Sequence, residues 1–206
     1  PAPILDEMRA LAERRGIEIV THGKRELSRI SRKGSQDQGV ALDVHCPAFS
    51  SLDDFLSRDR RQPQRLLAAD GITNPQNAGM LVRSAVAGGI DGILWPAAGN
   101  AALGPLAVKA SAGTLFRAPL VRCRDLPAAL AQCREAGFRI YVLDAGAKRS
   151  IFDLPAEGHP IFVLGNESTG PSAEVVALAD ETLMIPMANG VESLNVAVTA
   201  ALIAYL

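Results

Sequence analysis

The stretch Glu181–Leu206 reads ETLMIPMANGVESLNVAVTAALIAYL, and it predicts a strand, a turn and a helix in that order. Its apolar run Leu183–Pro186 is long enough for one buried strand. A polar turn follows, with Asn189 and Gly190 at its tightest point, because both residue types tolerate a positive φ. The Ala- and Leu-rich segment Asn195–Tyr205 then predicts a buried helix.

Polar residues gather where this helix begins. Ser193 is placed to cap the helix, and Glu192 and Asn195 flank it. A strand, a glycine-containing loop and a capped helix direct several backbone N–H groups at one spot, which suits a ligand with a carboxylate or a phosphate. The same pattern is also typical of an ordinary strand–loop–helix unit, so the rest of the chain has to decide between the two interpretations.

Composition indicates a globular protein without a membrane partner. The chain has 206 residues, of which 48% are hydrophobic and 21% are charged. No apolar run approaches the length of a membrane-spanning helix, and no signal-peptide pattern is visible. We therefore expect a cytoplasmic protein, or an organellar one if a targeting segment has been removed, since the chain does not begin with Met.

Charge and thiol content restrict the function only weakly. Lys and Arg total 21 against 22 Asp and Glu, so no global basic excess indicates nucleic acid. Basic residues do cluster in 9–33 and 58–65, which is typical of a solvated face or of a phosphate-contacting face. The three cysteines and three histidines lack metal-ligand spacing, so we expect free thiols and no metal site.

The chain divides into a small domain at 1–48, a linker at 49–63 and a main domain at 64–206. The small domain predicts helices at 4–16 and 24–30, strands at 17–20 and 40–45, and a polar loop at 31–39. By itself this piece is too small to bury a good core.

Strand and helix signals alternate through the main domain. The strands are predicted at 66–69, 90–95, 115–121, 138–143, 161–164 and 183–186, and the helices at 77–87, 103–110, 126–136, 172–179 and 195–205. Pro119 makes the third of these strands an edge strand or a kinked one. This alternation predicts an α/β fold with a parallel sheet that helices cover on both faces.

Unusual polar residues follow two more of these strands, at the sheet edge where ligands bind in parallel α/β folds. Asn77 and Arg83 follow the first strand, and Arg83 lies in an otherwise apolar helix, where it needs a partner, a ligand or access to solvent. Glu167 follows the strand at 161–164 and is placed to pair with Arg83 or to orient a substrate. The glycine spacing there matches neither a P-loop nor a dinucleotide fingerprint.

Taken in order, three motifs resemble those of the SpoU (TrmH-like) RNA ribose 2′-O-methyltransferases, which belong to the knotted SPOUT superfamily. The motifs are Asn77…Arg83, Gly165-Asn166-Glu167…Gly170, and Ile185-Pro186…Gly190-Val191-Glu192-Ser193-Leu194-Asn195. Lys109–Gly113 is similar to the middle segment of that family. Residues 1–46 resemble part of a ribosomal-protein-like RNA-binding domain that precedes the catalytic domain in several members.

The resemblance implies a C-terminal trefoil knot, S-adenosylmethionine bound in that knot, and an active site at a homodimer interface. Backbone groups near five residues would hold the adenosine part of the cofactor: Leu164, Gly165, Ile185, Met187 and Leu194.

The resemblance also implies roles for five side chains. Arg83 would position the ribose 2′-hydroxyl or remove its proton, and Asn77 and Glu167 would hold Arg83 in place. Ser193 and Asn195 would contact the ribose or phosphate, or brace the cofactor loop.

By the same analogy, the RNA-binding appendage favours ribosomal RNA as the substrate, with transfer RNA as the alternative. Two other functions remain open. One is a non-catalytic RNA-binding protein that kept the fold. The other is a different α/β enzyme, such as a nucleotide-binding hydrolase, although no P-loop, nucleophile elbow or metal cluster supports it.

Overall fold

The structure is a computed structural model that describes residues 3–31, 39–44, 49–59, 62–155 and 158–206. The chain forms two compact units, Pro1–His45 and Cys46–Leu206.

The first unit contains helix α1 (Pro3–Arg14) and helix α2 (Lys24–Ser31), both as predicted, and no residue of either helix is buried. The strand predictions are wrong for residues 17–20 and 40–44, which pair with no other segment in the described residues. An apolar alternation records which side chains favour burial, but a strand also needs a hydrogen-bonded neighbour. His45 and most of the predicted loop at 31–39 lie outside the described residues.

The second unit is built on one sheet in which every neighbouring pair of strands is parallel. In the described residues the strands are β1 (Ser50–Ser51), β2 (Leu66–Ala69), β3 (Gly92–Pro96), β4 (Leu120–Cys123), β5 (Arg139–Leu143), β6 (Arg149–Ser150), β7 (Pro160–Leu164) and β8 (Glu181–Met184). Their order across the sheet is β1-β4-β3-β2-β7-β5-β8-β6. The prediction of a parallel sheet is confirmed.

Helices cover both faces of this sheet, as predicted. One face carries α4 (Pro75–Ala87), α5 (Pro105–Ala110) and α8 (Val196–Ala204). The opposite face carries α3 (Leu52–Leu56), α6 (Leu126–Glu135) and α7 (Ala173–Ala177). The central strand β2 is buried along its whole length, and its side chains alternate between the two cores.

The prediction for residues 115–121 is wrong in its bounds and in its position in the sheet. Residues Thr114–Arg117 form a 3-10 turn, and β4 starts after Pro119. Proline fixes φ and has no N–H to donate, so it precedes the strand instead of interrupting it. Strand β4 pairs with both β1 and β3 and is therefore not an edge strand.

Part of the predicted linker at 49–63 belongs to the sheet. Ser50 and Ser51 form β1 beside β4, and Leu52 and Phe55 of α3 are buried. The Phe55 ring occupies the space that a side chain would need at Gly92, where a Cβ would lie 3.0 Å from the ring. The charged residues and Pro63 indicated a linker. The strand Ser50–Ser51 was not predicted, because two residues are too few to show the alternation of apolar and polar residues that indicates a strand.

The order of the central strands brings several loops to one end of the sheet. Strand β7 lies between β2 and β5, although it follows both in the chain, and β8 lies beyond β5. The loops that follow β2, β7 and β8 therefore start at the same sheet edge, where the carboxyl ends of parallel strands meet. The trefoil knot stays a prediction.

Helices α4 and α5 are in close contact at Gly79, where the backbone of α4 lies against the backbone at Ala107 and the side chain of Ala110. A Cβ at this position would lie 2.3 Å from the carbonyl oxygen of Ala107 and 2.8 Å from the Cβ of Ala110. Only glycine fits here without moving one helix, and this contact positions α5 against the helix that carries Asn77 and Arg83.

We predict that Gly79→Ala lowers the free energy of unfolding by about 1–3 kcal/mol, because the added methyl overpacks the contact. Alanine is otherwise the better helix former by about 1 kcal/mol, so the sign of the change tests the contact itself. Denaturant unfolding measures it. Gly104→Ala is the control for an added methyl that meets no atom within 4 Å. Because Gly104 is the N-cap of α5, this variant should show only the smaller loss that follows from replacing a glycine cap by alanine. A Gly79→Ala chain at least as stable as the parent would refute this packing.

Candidate functional site

Three side chains from distant parts of the chain meet at the carboxyl ends of the strands. The amide of Asn77 donates a short hydrogen bond to Oε1 of Glu167. The amide of Asn195 donates to Oδ1 of Asn77 at 3.1 Å and lies 3.4 Å from Oε1 of Glu167. We call these three residues the amide–carboxylate cluster. It joins the first turn of α4, the loop after β7 and the start of α8.

The cluster holds a carboxylate with amides alone. Asn77 is only 9% exposed, whereas Glu167 and Asn195 are exposed. An ionised carboxylate is only an acceptor and has two oxygens, and both hydrogen bonds of Glu167 within the described residues use Oε1. The second oxygen, Oε2, belongs to an exposed side chain and has no donor within the described residues, so it is available as an acceptor for a ligand.

Asn195 also caps α8, which corrects the prediction for Ser193. Its Oδ1 accepts from the N–H of Ala197 at 2.9 Å, while its amide N–H groups bond to the cluster. The helix begins at Val196, so position 195 is the cap, and Ser193 lies exposed in the preceding loop. Sequence patterns place a helix end only to within one or two residues, and Asn and Ser are equally good caps.

The start of α4 also differs from the prediction. The helix begins at Pro75, and Asn74 caps it by accepting from the N–H groups of Gln76 at 2.8 Å and Asn77 at 3.3 Å. Asn77 therefore lies inside the first turn, where its side chain is free of capping and available to the cluster.

Arg83 does not join the cluster. It is exposed on α4, and no hydrogen bond or ion pair involves its side chain within the described part of the chain. The prediction that Asn77 and Glu167 hold Arg83 in place is therefore wrong, since those two side chains bond to each other. The guanidinium is instead free to contact an anionic ligand.

The five residues predicted to hold a cofactor lie around the loops after β7 and β8. Leu164 is 2% exposed at the end of β7, and Ile185 packs against the same core. Leu194 is partly buried, whereas Met187 is 36% exposed. Residues 186–193 are all exposed, and within this loop the N–H of Val191 donates to the carbonyl of Ala188 at 3.2 Å.

Gly165 lets the loop after β7 fold back on itself. A Cβ there would lie 2.2 Å from the backbone nitrogen of Pro171 and 2.4 Å from the carbonyl carbon of Gly170. No other residue fits this return, which explains why glycine follows the strand directly.

Asn166 is a further site residue, for which the second motif predicted no role. Its amide donates to the carbonyl of Gly71 at 2.7 Å, and its Oδ1 accepts from the N–H groups of Ser168 and Thr169 at 2.9 and 3.2 Å. These bonds tie the loop after β2 to the loop after β7. The sequence contains a signal for this turn, since Asn166 lies in the stretch Gly-Asn-Glu-Ser-Thr-Gly. Asn side chains in such loops often bond to the backbone N–H two residues further on.

A cleft of about 340 Å³ opens between these two loops. Its lining residues are Asp70, Gly71, Thr73, Asn166, Thr169, Gly170, Pro171 and Ser172. No member of the amide–carboxylate cluster lines the cleft, but Glu167 lies in the same loop as Asn166 and Thr169, which do.

Other chemistries find little support in the described residues. Burial, and secondarily the carboxylate of Asp125, raises the pKa of the Cys123 thiol to about 11, so it is a poor nucleophile near neutral pH. No group of three or more His, Cys, Asp or Glu side chains in the described ranges is arranged to hold a metal ion. Within the same ranges, no helix has the length and apolar character needed to cross a membrane.

Comparison with known proteins identifies the family. The model of the SpoU rRNA Methylase family matches residues 64–205. The chain therefore belongs to the SpoU rRNA methylase family, as the three motifs predicted.

One similar protein comes from Mycolicibacterium gilvum (strain PYR-GCK) and is named an uncharacterized tRNA/rRNA methyltransferase. The identity is 36% over 202 residues, which cover 97% of this chain and 64% of that protein. The chain thus spans slightly less than two thirds of the length of this relative.

Two solved structures share the fold. The SpoU methyltransferase AviRb from Streptomyces viridochromogenes, in complex with the cofactor AdoMet, aligns with a TM-score of 0.64 at 30% identity, over 74% of this chain and 61% of that chain. The AdoMet-bound rRNA methyltransferase from Sinorhizobium meliloti aligns with a TM-score of 0.77 over 98% of this chain and 76% of that chain. At 20% identity the second likeness shows the fold alone.

The double role of Asn195 predicts a difference between two substitutions. Asn195→Ala removes the cap and leaves Oδ1 of the buried Asn77 without its donor, so we expect the free energy of unfolding to fall by about 2 kcal/mol. Asn195→Ser keeps a capping oxygen and should recover about 1 kcal/mol of that loss. Urea unfolding compares the two variants. Equal losses would mean that Asn195 does not cap α8.

Proposed function

We propose that this chain transfers a methyl group from S-adenosylmethionine to a ribose 2′-hydroxyl of RNA, and that ribosomal RNA is the substrate. The observation that carries the proposal is the amide–carboxylate cluster of Asn77, Glu167 and Asn195, which the three family motifs form. Arg83 lies on the same helix as Asn77, exposed and without a partner in the described residues. The family description names rRNA, and the relative from Mycolicibacterium gilvum is named for both tRNA and rRNA.

The residues around the loops after β7 and β8 fit the proposed cofactor. The partly buried Ile185 and Leu194 offer apolar surface to an adenine ring, and the exposed loop around Met187 would supply backbone donors and acceptors for its edge. Gly165 contributes backbone without a side chain where the loop folds back. When bound, S-adenosylmethionine supplies a methyl group on a sulfonium, which is a good leaving group and needs no metal.

The protein's own contribution is to align the hydroxyl. A ribose 2′-hydroxyl is a weak nucleophile, so its oxygen has to be held in line with the methyl group while its proton leaves. Arginine stays protonated in proteins, so we assign Arg83 to positioning: its guanidinium binds the adjacent phosphate and stabilises charge that develops on the hydroxyl oxygen. The free Oε2 of Glu167 accepts a hydrogen bond from the ribose and orients it.

Three features make this assignment specific to an anionic substrate. Arg83 is exposed and bears a charge that no described acid neutralises. Lys109 and Arg117 lie exposed on α5 and on the 3-10 turn, and both of these elements pack against α4. By contrast, Arg134, Arg139 and Arg149 pair with Asp180 or Glu181 at the other side of the sheet. Exposed cations on α4 and on the elements packed against it, with no acidic partner in the described residues, favour contacts with phosphate.

We predict that Arg83→Ala reduces methyl transfer by about 100-fold or more, because it removes charge stabilisation at the reacting oxygen. Radiolabelled methyl transfer to unmodified ribosomal and transfer RNA transcripts measures the rate, and mapping of alkali-resistant linkages identifies the 2′-O product. Cofactor binding, measured by calorimetry, should be unchanged.

Arg65→Ala is the matched control, because Arg65 precedes β2 at the opposite end of the sheet. Normal turnover by Arg83→Ala would contradict the assigned role. Methylation of transfer RNA alone would contradict the proposed substrate.

We further propose that a second copy of the chain packs on the outer face of α4 and α8. These helices run side by side in the same direction, since Asn77 contacts Asn195 at one end and Gly88 packs on Ala204 at the other. Met80 and Val198 each lie three residues beyond the bonded asparagines, and they are 39% and 48% exposed. Two large apolar side chains at matched height support a protein interface next to the cluster.

Val198→Glu should therefore convert a dimer to a monomer, because it places a charge in a desolvated contact. Sedimentation or light scattering of the purified chain reports the mass. The control is Val176→Glu, a similarly exposed valine (37%) on α7 at the opposite face of the sheet. A wild-type chain that is monomeric at micromolar concentration would refute the interface.

A further inference from the structure

We infer that the cleft between the loops after β2 and β7 binds the base of the nucleotide whose ribose is methylated, and that it favours a base with an exocyclic amino group. The inference rests on the proposed function for the identity of the ligand. It concerns residues with no part in the proposed catalytic or cofactor contacts, mainly Asp70, Thr73, Thr169 and Ser172.

The cleft is held open by two bonds that cross it. The amide of Asn166 donates to the carbonyl of Gly71 at 2.7 Å, and the backbone N–H of Ser172 donates to Oδ2 of Asp70 at 2.7 Å. The return of the loop at Gly165 adds a third constraint, because it fixes the backbone at Pro171. The walls are therefore positioned before any ligand arrives, which reduces the cost of binding.

The topology of the sheet places the cleft where ligands are expected. Strand β2 leads through α4 to β3 on one side, whereas β7 leads through α7 to β8 on the other. Helices α4 and α7 lie on opposite faces of the sheet. The two connections thus diverge and leave a crevice beyond the carboxyl ends of β2 and β7, which is the usual ligand position in an open α/β sheet.

The cleft lies next to the groups that would hold the ribose. Glu167 is in the loop that forms one wall, and Asn77 lies four residues after Thr73 of the other wall. A ribose held at the cluster would therefore have its base within reach of the cleft. The volume of about 340 Å³ is at the low end for ligand sites, which fits one base better than a longer stretch of chain.

The charge of the cleft selects a base over a phosphate. Asp70 lines the cleft and Glu167 lies in the loop that forms one of its walls, and carboxylates repel a phosphate. Within the described residues Asp70 accepts its side-chain bond through Oδ2 alone, so Oδ1 is available as an acceptor. A carboxylate oxygen pairs with an amino group such as N4 of cytosine, and the corresponding O4 of uracil would face it unfavourably.

Cytidine and uridine form the matched pair of probes, because they differ at that one group. The experiment titrates each nucleoside into the isotope-labelled chain with S-adenosylhomocysteine present to occupy the cofactor site, and follows backbone amide shifts by NMR. We expect shifts at Gly71, Thr169 and Ser172, and about fivefold or more tighter binding of cytidine than of uridine.

Asp70→Asn tests the carboxylate. It keeps an oxygen for the N–H of Ser172 and replaces the second oxygen by an amide N–H₂ donor, so the preference for cytidine should disappear or reverse. Asp91→Asn is the control, because Asp91 also accepts one backbone N–H, from Arg65 at 2.7 Å, at the opposite end of the sheet. It should leave the preference unchanged.

Several outcomes would overturn the inference. These are equal binding of the two nucleosides, no shifts at the cleft amides, shifts confined to residues 185–194, or an unchanged preference in Asp70→Asn. The wild-type comparison decides the question even if the Asp70 variant does not fold. The titration requires no methyl transfer, so a selective cleft in a chain that methylates no RNA would refute the proposed function and leave the base site standing.

Discussion

The hydrogen bonds among Asn77, Glu167 and Asn195 connect the segments that meet at the carboxyl ends of the parallel strands. Glu167 and Asn195 lie 90 and 118 positions after Asn77 in the chain, so side chains and not a shared helix or strand bring the three residues together. Their side chains join α4, the loop after β7 and α8. The cost of breaking these bonds is concentrated at the buried Asn77, whose amide would be left without a partner, whereas Glu167 and Asn195 are exposed to water.

The cluster also determines the electrostatics around it. Amides and not a guanidinium bond to the Glu167 carboxylate, and Arg83 has no acidic partner within the described residues. Acceptor and cation are thus presented separately to the solvent. This separation suits a ribose phosphate, which carries both a hydroxyl donor and an anion, better than it suits a purely anionic ligand.

Close backbone contacts at three glycines position the segments that carry the cluster. Gly79 brings α5 onto α4, Gly88 brings α8 onto α4, and Gly165 lets the loop after β7 return to Pro171. None of these positions has room for a Cβ, so the helices and the loop are positioned by contact and not by flexible side chains. Such packing is what allows three side chains from remote segments to meet within hydrogen-bond distance.

The sequence by itself determined the parallel α/β architecture and the three polar motifs. Alternating apolar runs and helical periodicity are local, so they predicted the central strands and most helices to within a few residues. The motif residues followed from their positions after strands, and they identified the family. Local patterns also explain the errors, since they could not distinguish Ser193 from Asn195 as a cap or detect the two-residue strand at Ser50.

Only the tertiary structure decided which of those residues bond to one another. It paired Glu167 with Asn77 instead of Arg83, gave Asn166 its bridging role and opened the cleft beside Asp70. The strands predicted at residues 17–20 and 40–44 do not form, because no described segment pairs with them. The cluster forms because three distant segments do meet. Pairing depends on whether a distant segment is folded alongside, and a one-dimensional pattern of apolar and polar residues contains no record of that.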